Sequence, residues 1–354
     1  MSKLSLKLFN LSDKILEFVQ RFENIPNKYP EIIVLILFPI LISCFGYFHE
    51  PWFDEAQAWQ IAKCANYKEI MFYLPHFEGH PPFWHLILSI FAKNHFPYEL
   101  TIKSLSFIFS YITVFIILFK SPFYRLIRIL LPFTYFLFYD STIISRPYCM
   151  VMLAFSLLAL CYYQKNEKPF LYASCLIFLS SIHTYSFVIA SFMTLVWFIE
   201  VIEKVIKEKI KFKKFFTVFF LLLIFYIFLA CIVFPSPDAL AINAQHTSGI
   251  LRRLIYTLFI TPVDCFITYI CNYMPYDFYS YTTLALGSFV GLIIWFFMLY
   301  FTKKQKYVLL TLLIPYIPFA IVATKYFAIP HISIPFCFIL FICWISLLSK
   351  NTGN

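Results

Sequence analysis

The chain is poor in charge and in glycine. Only 13% of its 354 residues are charged and six are glycine, whereas 61% are hydrophobic. A soluble domain carries roughly twice that charged fraction. Several apolar runs approach the ~20 residues that a helix needs to cross the hydrocarbon core of a bilayer. Because irregular backbone and open strand edges cannot face lipid, we expect an all-α, polytopic integral membrane protein.

Organised cysteine and nucleotide-binding motifs are also missing. The ten cysteines include no CxxC pair and no spacing typical of a metal site. The sequence has no glycine-rich phosphate-binding loop. These absences argue against a zinc-ribbon protein and a P-loop nucleotide enzyme. A disulfide between Cys265 and Cys271 stays open as an alternative, since both residues can lie on the outer side.

Basic residues outnumber acidic ones by 28 to 18, which gives a net charge of +10. In a soluble protein this excess would suggest a nucleic-acid partner. Here the lysines and arginines stand in short clusters between apolar runs, as they do in the cytoplasmic loops of membrane proteins. We therefore expect contacts with membrane lipids and no nucleic acid.

With the basic clusters on the cytoplasmic side, the chain forms about ten spans and both termini lie inside. Residues 1–31 are a cytoplasmic amphipathic segment, 32–349 a single transmembrane domain and 350–354 a cytoplasmic tail. The two large outer loops are 49–99, which should contain interfacial helices, and 235–280. The expected spans are 32–48, 100–119, 122–139, 149–163, 169–182, 187–198, 215–234, 282–301, 307–322 and 334–348.

Residues 83–96 are the ambiguous segment. Their apolar core has about twelve residues, which is short for a span. If they crossed the membrane, the basic loop at 120–128 would lie outside. If they only dip into the interface, that loop lies inside, as the positive-inside rule prefers. We therefore expect 83–96 to be interfacial.

An acidic pair, Asp54 and Glu55, follows the first span in PWFDEAQAW. A carboxylate beside aromatic residues at a membrane edge can have its pKa raised, which suits a general base. Asp54 also begins a predicted helix, so a capping role is the structural alternative, and it is compatible with catalysis. Because ionisable residues at membrane depth are usually functional, Asp54 and Glu55 are the candidate catalytic residues.

Cations and histidines stand at the outer ends of other predicted spans. Arg146 lies where the positive-inside rule expects few arginines. Its side chain either extends to the membrane interface or forms bidentate hydrogen bonds with a phosphate. The same choice applies to Lys325 and His331, which bracket one outer turn. His80 and His183 are either ordinary interfacial histidines or substrate contacts.

Two further groups of polar residues lie in the outer loops. His76, Glu78 and His80 are close enough in sequence to bind a divalent metal, but their spacing matches no specific site. A metal cofactor therefore stays an open alternative, and no residue is assigned as a metal ligand. Arg252 and Arg253 lie in the amphipathic segment ILRRLIYTLFI, for which we expect contacts with anionic lipid headgroups.

In four motifs the chain resembles a bacterial member of the GT-C glycosyltransferase superfamily. It is similar to the branch of protein O-mannosyltransferases and lipid A aminoarabinose transferases. The similarity covers nearly the whole membrane core. The motifs, in chain order, are PWFDEAQAW with Asp54 and Glu55, EGHPPFW with Glu78, His80, Pro81 and Pro82, SRPY with Arg146 and Tyr148, and the late turn with Lys325, Tyr326 and His331.

The resemblance implies a GT-C-like helical core, a polyprenyl-phosphate-linked sugar donor and an inverting transfer with Asp54 as the base. It also implies a cavity open to the periplasm or the cell exterior. Asp140 stands near the position of a second acidic residue in relatives. Pro330 replaces an arginine expected near the last outer turn, and this sequence lacks a large C-terminal soluble domain. Acceptor recognition is therefore expected in outer loops such as 235–280.

The sequence thus predicts a glycosyltransferase in the inner (plasma) membrane that moves a sugar to a glycan, lipid or protein of the envelope. Asp54 would be the base, Glu55 and His80 would position the substrate, and Arg146 and Lys325 would bind the carrier phosphate. Tyr148, His183 and His331 are the further predicted substrate-binding residues. A transporter or flippase of lipid-linked sugars is the alternative, and it should show discontinuous spans with polar residues near the midplane. A non-catalytic scaffold for envelope assembly is a third hypothesis.

Overall fold

The computed structural model describes residues 17, 19–208, 212–239, 243, 247–267 and 280–352. Within these ranges the regular structure is entirely helical, with no strand. The prediction of an all-α polytopic membrane protein is therefore confirmed. Cys271, proposed above as a disulfide partner, lies outside the described residues, and Cys265 is a buried free thiol.

The helices are numbered here in chain order, with α-helices and π-helices counted separately. Their bounds are α1 Tyr29–Phe48, α2 Phe53–Cys64, π1 Glu69–Tyr73, α3 Pro75–Glu78, α4 Phe83–Ala92, α5 Tyr98–Lys120, α6 Arg125–Leu130, π2 Tyr135–Ile143, α7 Tyr148–Cys161, α8 Pro169–Ser180, α9 Thr184–Glu208, α10 Lys213–Val233, α11 Ile250–Ile255, π3 Tyr256–Ile260, α12 Thr261–Asp264, α13 Tyr281–Thr302, α14 Lys306–Ala323 and α15 Ser333–Thr352. Short 3-10 turns lie at Leu131–Phe133, Tyr162–Gln164 and Ile329–Ile332.

Eight helical stretches in the described part of the chain are long and apolar enough to cross a membrane. They are α1, α5, the run from α6 through π2, α9, α10, α13, α14 and the run that ends in α15. The helices α7 and α8, expected as two further spans, belong to a shorter class together with α4. With ten residues, α4 is about 15 Å long and cannot cross a core of about 30 Å by itself. This length agrees with the interfacial position expected for it.

The centre of the bundle is formed by α7 and by the run that ends in α15. Eleven of the fourteen residues of α7 are buried, and α7 packs against α5, α8, α15 and π2. The most apolar stretch of the last run is 72% buried, against 17% for α13. A helix that is apolar on all sides is stable only inside protein or lipid. The short helix α7 is therefore enclosed by its neighbours, and α13 exposes most of its apolar surface.

The two ends of the bundle differ in their polar residues. At one end, Arg125 lies 2.8 Å from the buried carboxylate of Glu31, and Lys165 lies 2.9 Å from that of Glu200. We call this the basic end. The opposite end, called the site end, carries Asp54 at the start of α2 and the turn before α7. Partnered buried charges at the basic end join loops to the bundle without leaving a charge unsatisfied.

The stretch from π3 through α12 packs into the bundle, whereas no residue of α11 is buried. The Trp295 indole donates to the Leu258 carbonyl at 2.7 Å, and the Tyr316 hydroxyl donates to the Thr257 carbonyl at 3.0 Å. Because Trp295 is 14 residues into α13, this contact lies about 21 Å along that helix. Arg253, in α11, donates to the Thr324 carbonyl at 2.6 Å, and the expected headgroup contacts of Arg252 and Arg253 stay a prediction. The apolar side of π3 and α12 contacts protein, whereas Ile250 and Leu251 of α11 are exposed.

Candidate functional site

The centre of the candidate site is an ion pair between Asp54 and Arg146. The Arg146 Nη1 lies 3.0 Å from the Asp54 Oδ2, so the first turn of α2 meets the turn before α7. The Asp54 side chain is 40% exposed and that of Arg146 is 13% exposed. The Arg146 guanidinium also lies 5.3 Å from the centre of the Tyr148 ring. The structure thus brings together three residues that the sequence predicts as site residues.

Glu55, the second predicted catalytic residue, is completely buried behind this pair. Its Oε2 accepts a hydrogen bond from the Trp52 backbone N–H at 2.8 Å and lies 3.0 Å from the His49 Nε2. Its Oε1 accepts from the Ser145 backbone N–H at 2.8 Å. Ser145 precedes Arg146, so the Glu55 carboxylate fixes the loop of Asp54 to the turn of Arg146. This geometry favours a positioning role for Glu55 over contact with substrate.

Glu78 is a third carboxylate near the pair. The Gln57 side-chain amide donates to the Glu78 Oε1 at 2.9 Å. Burial and the nearby charge of Asp54 raise the pKa of Glu78. The sequence placed Glu78 in a family motif but assigned it no role, and it missed Gln57. The signal for Gln57 was its position three residues after Asp54, on the same helical face.

Three predicted site residues form a cluster of imidazole rings, which we call the histidine cluster: His80, His183 and His331. The ring centres of His80 and His183 lie 4.3 Å apart, and those of His183 and His331 lie 5.1 Å apart. These residues come from the loop after α3, the turn before α9 and the 3-10 turn before α15. The fold therefore gathers side chains that are up to about 250 residues apart in sequence.

Local structure explains how His80 reaches the cluster. Gly79 ends α3 with a φ of +64°, a left-handed conformation that glycine adopts without steric cost. The Thr184 hydroxyl donates to the Gly79 carbonyl at 2.5 Å. This contact attaches the end of the first loop to the first turn of α9, directly beside His183. The Gly79 turn and the Thr184 bond together hold two histidines in contact.

Hydrogen bonds determine which ring nitrogen carries the proton in two of the cluster's histidines. The Tyr185 backbone N–H donates to the His183 Nδ1 at 3.1 Å, and the Ala328 backbone N–H donates to the His331 Nδ1 at 2.8 Å. A neutral imidazole whose Nδ1 accepts carries its proton on Nε2. The His183 Nε2 is buried and has no hydrogen-bond partner in the described part of the protein. The same holds for the His80 Nδ1.

Burial favours the uncharged form of the three histidines in the cluster. Burial, followed by the charge of Arg146, lowers the pKa of His80 to about 3. Burial and the neighbouring His80, His331 and Arg146 hold the pKa of His183 well below its usual range. The two rings therefore act as neutral hydrogen-bonding groups beside a permanently charged guanidinium.

Lys325 takes a different position from the other predicted residues. Its side chain is exposed on the turn after α14, whereas its neighbour Tyr326 packs against His331 with ring centres 5.7 Å apart. The adjacent carbonyl, that of Thr324, accepts the hydrogen bond from Arg253. Lys325 thus lies on the rim of the site, and the inner wall of that turn is aromatic.

Asp140 lies at the inner side of the site. It is 1% exposed within π2, and the charge of Arg146 acts on it. The structure thus places Asp140 near the turn of Arg146, and its correspondence to a second acidic residue of GT-C relatives stays a prediction. In the described ranges, no group of three or more histidine, cysteine or acidic side chains is arranged to hold a metal ion.

Comparisons with known proteins add no relative to this description. No family model matches the chain, and neither a curated protein nor a solved structure matches it. The chemistry of the site must therefore be inferred from its own side chains.

Proposed function

We propose that the protein is an integral membrane glycosyltransferase that moves one sugar from a polyprenyl-phosphate-linked donor to an extracytoplasmic acceptor. The observation that carries the proposal is the contact of Asp54 with Arg146. A partly exposed carboxylate, 40% accessible, lies 3.0 Å from a mostly buried guanidinium. The Asp54 carboxylate, a base for an acceptor hydroxyl, thus lies beside the Arg146 guanidinium, whose planar geometry suits bidentate hydrogen bonds to a phosphate.

The reaction follows from these two groups. Asp54 takes the proton of the acceptor hydroxyl, and the hydroxyl oxygen attacks the anomeric carbon of the donor sugar. The bond from that carbon to the carrier phosphate breaks, and its electron pair goes to the phosphate oxygen. Arg146 stabilises the charge that develops there, because its five N–H donors can serve the phosphate and Asp54 together. A single direct displacement inverts the anomeric centre.

The remaining groups support this arrangement. Glu55 positions the base and the cation, since its carboxylate bonds both to the loop of Asp54 and to the turn of Arg146. Lys325 on the rim adds positive charge for an approaching anionic headgroup. The positive-inside rule orients the basic end to the cytoplasm and the site end to the periplasm or exterior of the plasma membrane. The resemblance to GT-C transferases in the motifs of the site end agrees with this proposal.

A transporter or flippase of lipid-linked sugars is the second candidate. It is favoured by π3, which packs inside the bundle and whose backbone carbonyls accept hydrogen bonds from Trp295 and Tyr316. Transporters use interrupted helices of this kind near the midplane. The carboxylates and histidines described above lie instead at the site end, which favours the enzyme.

Sugar transfer from a radiolabelled polyprenyl-phosphate sugar tests the proposal. Purified wild type and Asp54→Asn, each in lipid with an envelope acceptor extract, are compared with and without chelator. We expect transfer to fall at least about 100-fold in the variant, as is usual when a general base is lost. Glu167→Gln is the control, because Glu167 is exposed at the basic end, between α7 and α8, and this variant should retain full activity. Equal turnover in wild type and Asp54→Asn would refute Asp54 as the base, and labelled lipid that crosses the membrane unchanged would favour the flippase.

A further inference from the structure

The histidine cluster holds a donor that nothing in the described protein satisfies. The His183 Nε2–H is buried, and the tautomer is set because the Nδ1 of the ring already accepts from the Tyr185 N–H at 3.1 Å. His331 has the same tautomer, since its Nδ1 accepts from the Ala328 N–H at 2.8 Å. Buried polar groups in proteins nearly always have a partner. An orphan donor in a side chain that is 2% exposed therefore indicates a ligand with an acceptor atom.

The surroundings of the cluster define the charge of that ligand. Arg146 acts electrostatically on all three rings. Burial favours the neutral form of the rings, so the positive charge at the cluster comes from Arg146, whose guanidinium also lies 3.0 Å from the Asp54 carboxylate. A group with several acceptor oxygens and a negative charge fits these donors best. Phosphate meets both requirements, whereas a sugar hydroxyl provides the acceptor without the charge.

We propose that the histidine cluster binds a phosphate group, with the His183 and His331 Nε2–H groups as neutral donors and Arg146 as the counter-charge. The inference deepens the proposed function, on which it rests for one point only, namely that the phosphate belongs to the lipid carrier. The same chemistry would also recognise free inorganic phosphate. His183 is a binding residue here, and its fixed tautomer selects an acceptor over a donor at this point.

The aromatic wall around the cluster supports such a site. The Tyr185 ring stacks on His183 with ring centres 5.1 Å apart and planes at 23°, and it also lies 5.1 Å from His331. Tyr326 covers His331 from the rim turn. Excluding water strengthens hydrogen bonds to an anion, because they act in a medium of lower dielectric constant. The rings can thus bind phosphate while remaining uncharged.

Two substitutions of His183 separate its binding role from its role in the fold. Asparagine places an oxygen near the position of Nδ1, keeps the helix-capping bond from the Tyr185 N–H and removes the donor at Nε2. Glutamine places an amide N–H near the position of Nε2 and gives up the cap. His183→Asn should therefore fold like wild type and bind phosphate poorly, and His183→Gln should recover part of the binding. His76→Asn is the matched control, since His76 lies outside the cluster and contacts the Phe234 carbonyl.

The experiment measures equilibrium binding of a radiolabelled, sugar-free polyprenyl phosphate to the full chain in lipid. We expect at least a tenfold loss of affinity in His183→Asn, partial recovery in His183→Gln and no change in His76→Asn. Displacement by unlabelled polyprenyl phosphate well below the concentration needed for inorganic phosphate identifies the lipid as the source. Equal displacement by the two identifies free phosphate, and both results support a phosphate site.

The proposal is overturned if wild type does not bind the probe, if His183→Asn binds as wild type does, or if polyprenol without phosphate displaces the probe equally well. Thermal unfolding of each variant checks that a loss of affinity is not a loss of fold. This assay contains no sugar and no acceptor. Phosphate binding that depends on His183 in a protein that transfers no sugar would refute the glycosyltransferase and leave the phosphate site standing.

Discussion

Replacement of Glu55 by glutamine tests whether this carboxylate holds the site together. The wild-type side chain is 0% exposed and receives the N–H groups of Trp52 and Ser145 at 2.8 Å each, with His49 at 3.0 Å. Glutamine keeps one acceptor oxygen and replaces the other with a donor NH₂ group. Whichever way the amide turns, it faces at least one buried N–H donor.

The size of the effect follows from these contacts. A buried donor left without an acceptor costs about 1–3 kcal/mol, and the bonds that remain lose the assistance of the negative charge. We therefore expect Glu55→Gln to lower the free energy of unfolding by about 2–4 kcal/mol. Sugar transfer should fall as well, because the turn of Arg146 is no longer fixed to the loop of Asp54.

Equilibrium unfolding of the purified protein in bicelles measures the change, and the transfer assay is run on the same samples. Glu50→Gln is the matched control, since Glu50 lies on the same loop and is exposed, and surface changes usually stay within about 0.5 kcal/mol. If Glu55→Gln were as stable and as active as Glu50→Gln, the carboxylate would not be the link between the two segments, and the positioning role would be refuted.

Two further predictions concern Glu78 and Gly291. Burial and the charge of Asp54 raise the pKa of Glu78 above its ordinary value of 4.5. The folded protein therefore favours protonated Glu78, and this stabilisation is fully present below pH 4.5 and is lost as the pH rises through the raised pKa. Between these two pKa values, the free energy of unfolding of the wild type should fall relative to that of Glu78→Gln. Identical pH profiles of unfolding for the two proteins would contradict this. A Cβ at Gly291 would lie 1.8 Å from the Phe259 carbonyl oxygen, so Gly291→Ala should destabilise the protein by about 1–3 kcal/mol in the same unfolding assay. Gly46→Ala is its control, because a Cβ there meets nothing within 4 Å, and equal stability of the two variants would refute a close approach of α13 to π3.

The meeting of Asp54 and Arg146 could be anticipated from the sequence, and its physical basis is simple. Helices that cross a membrane alternate in direction, so the positive-inside rule assigns each span end to a face. Residues at span ends on one face are then candidates for one site. The same rule placed His183 and His331 on that face, and the structure brings both into one cluster with His80.

Other features could not be predicted because they depend on partners distant in sequence. The periodicity of residues 250–260 reports one apolar face, and such a face can contact lipid or protein equally well. Only the approach of α13, made close by Gly291, decides that the π3 part of this face contacts protein. Similarly, Asp54 and Glu55 look equivalent in sequence. Their different roles arise because the Ser145 N–H, 90 residues away, reaches one carboxylate and Arg146 reaches the other.

The π-helix π2 explains why the turn of Arg146 can accept such a partner. In a regular α-helix the Ser145 N–H would bond to the Ser141 carbonyl, four residues earlier. Here the Ser141 carbonyl, in π2, instead accepts from the hydroxyls of Ser106 and Ser110 at 3.1 and 3.2 Å. The N–H of Ser145, two residues after π2, donates to Glu55 at 2.8 Å. Both backbone groups at the end of π2 are therefore satisfied by side chains of other segments. π-helical turns recur at functional sites. We infer that this wide turn gives up local backbone hydrogen bonds for contacts that align α2, α5 and α7. The position of Arg146, the residue after Ser145, is fixed by that alignment.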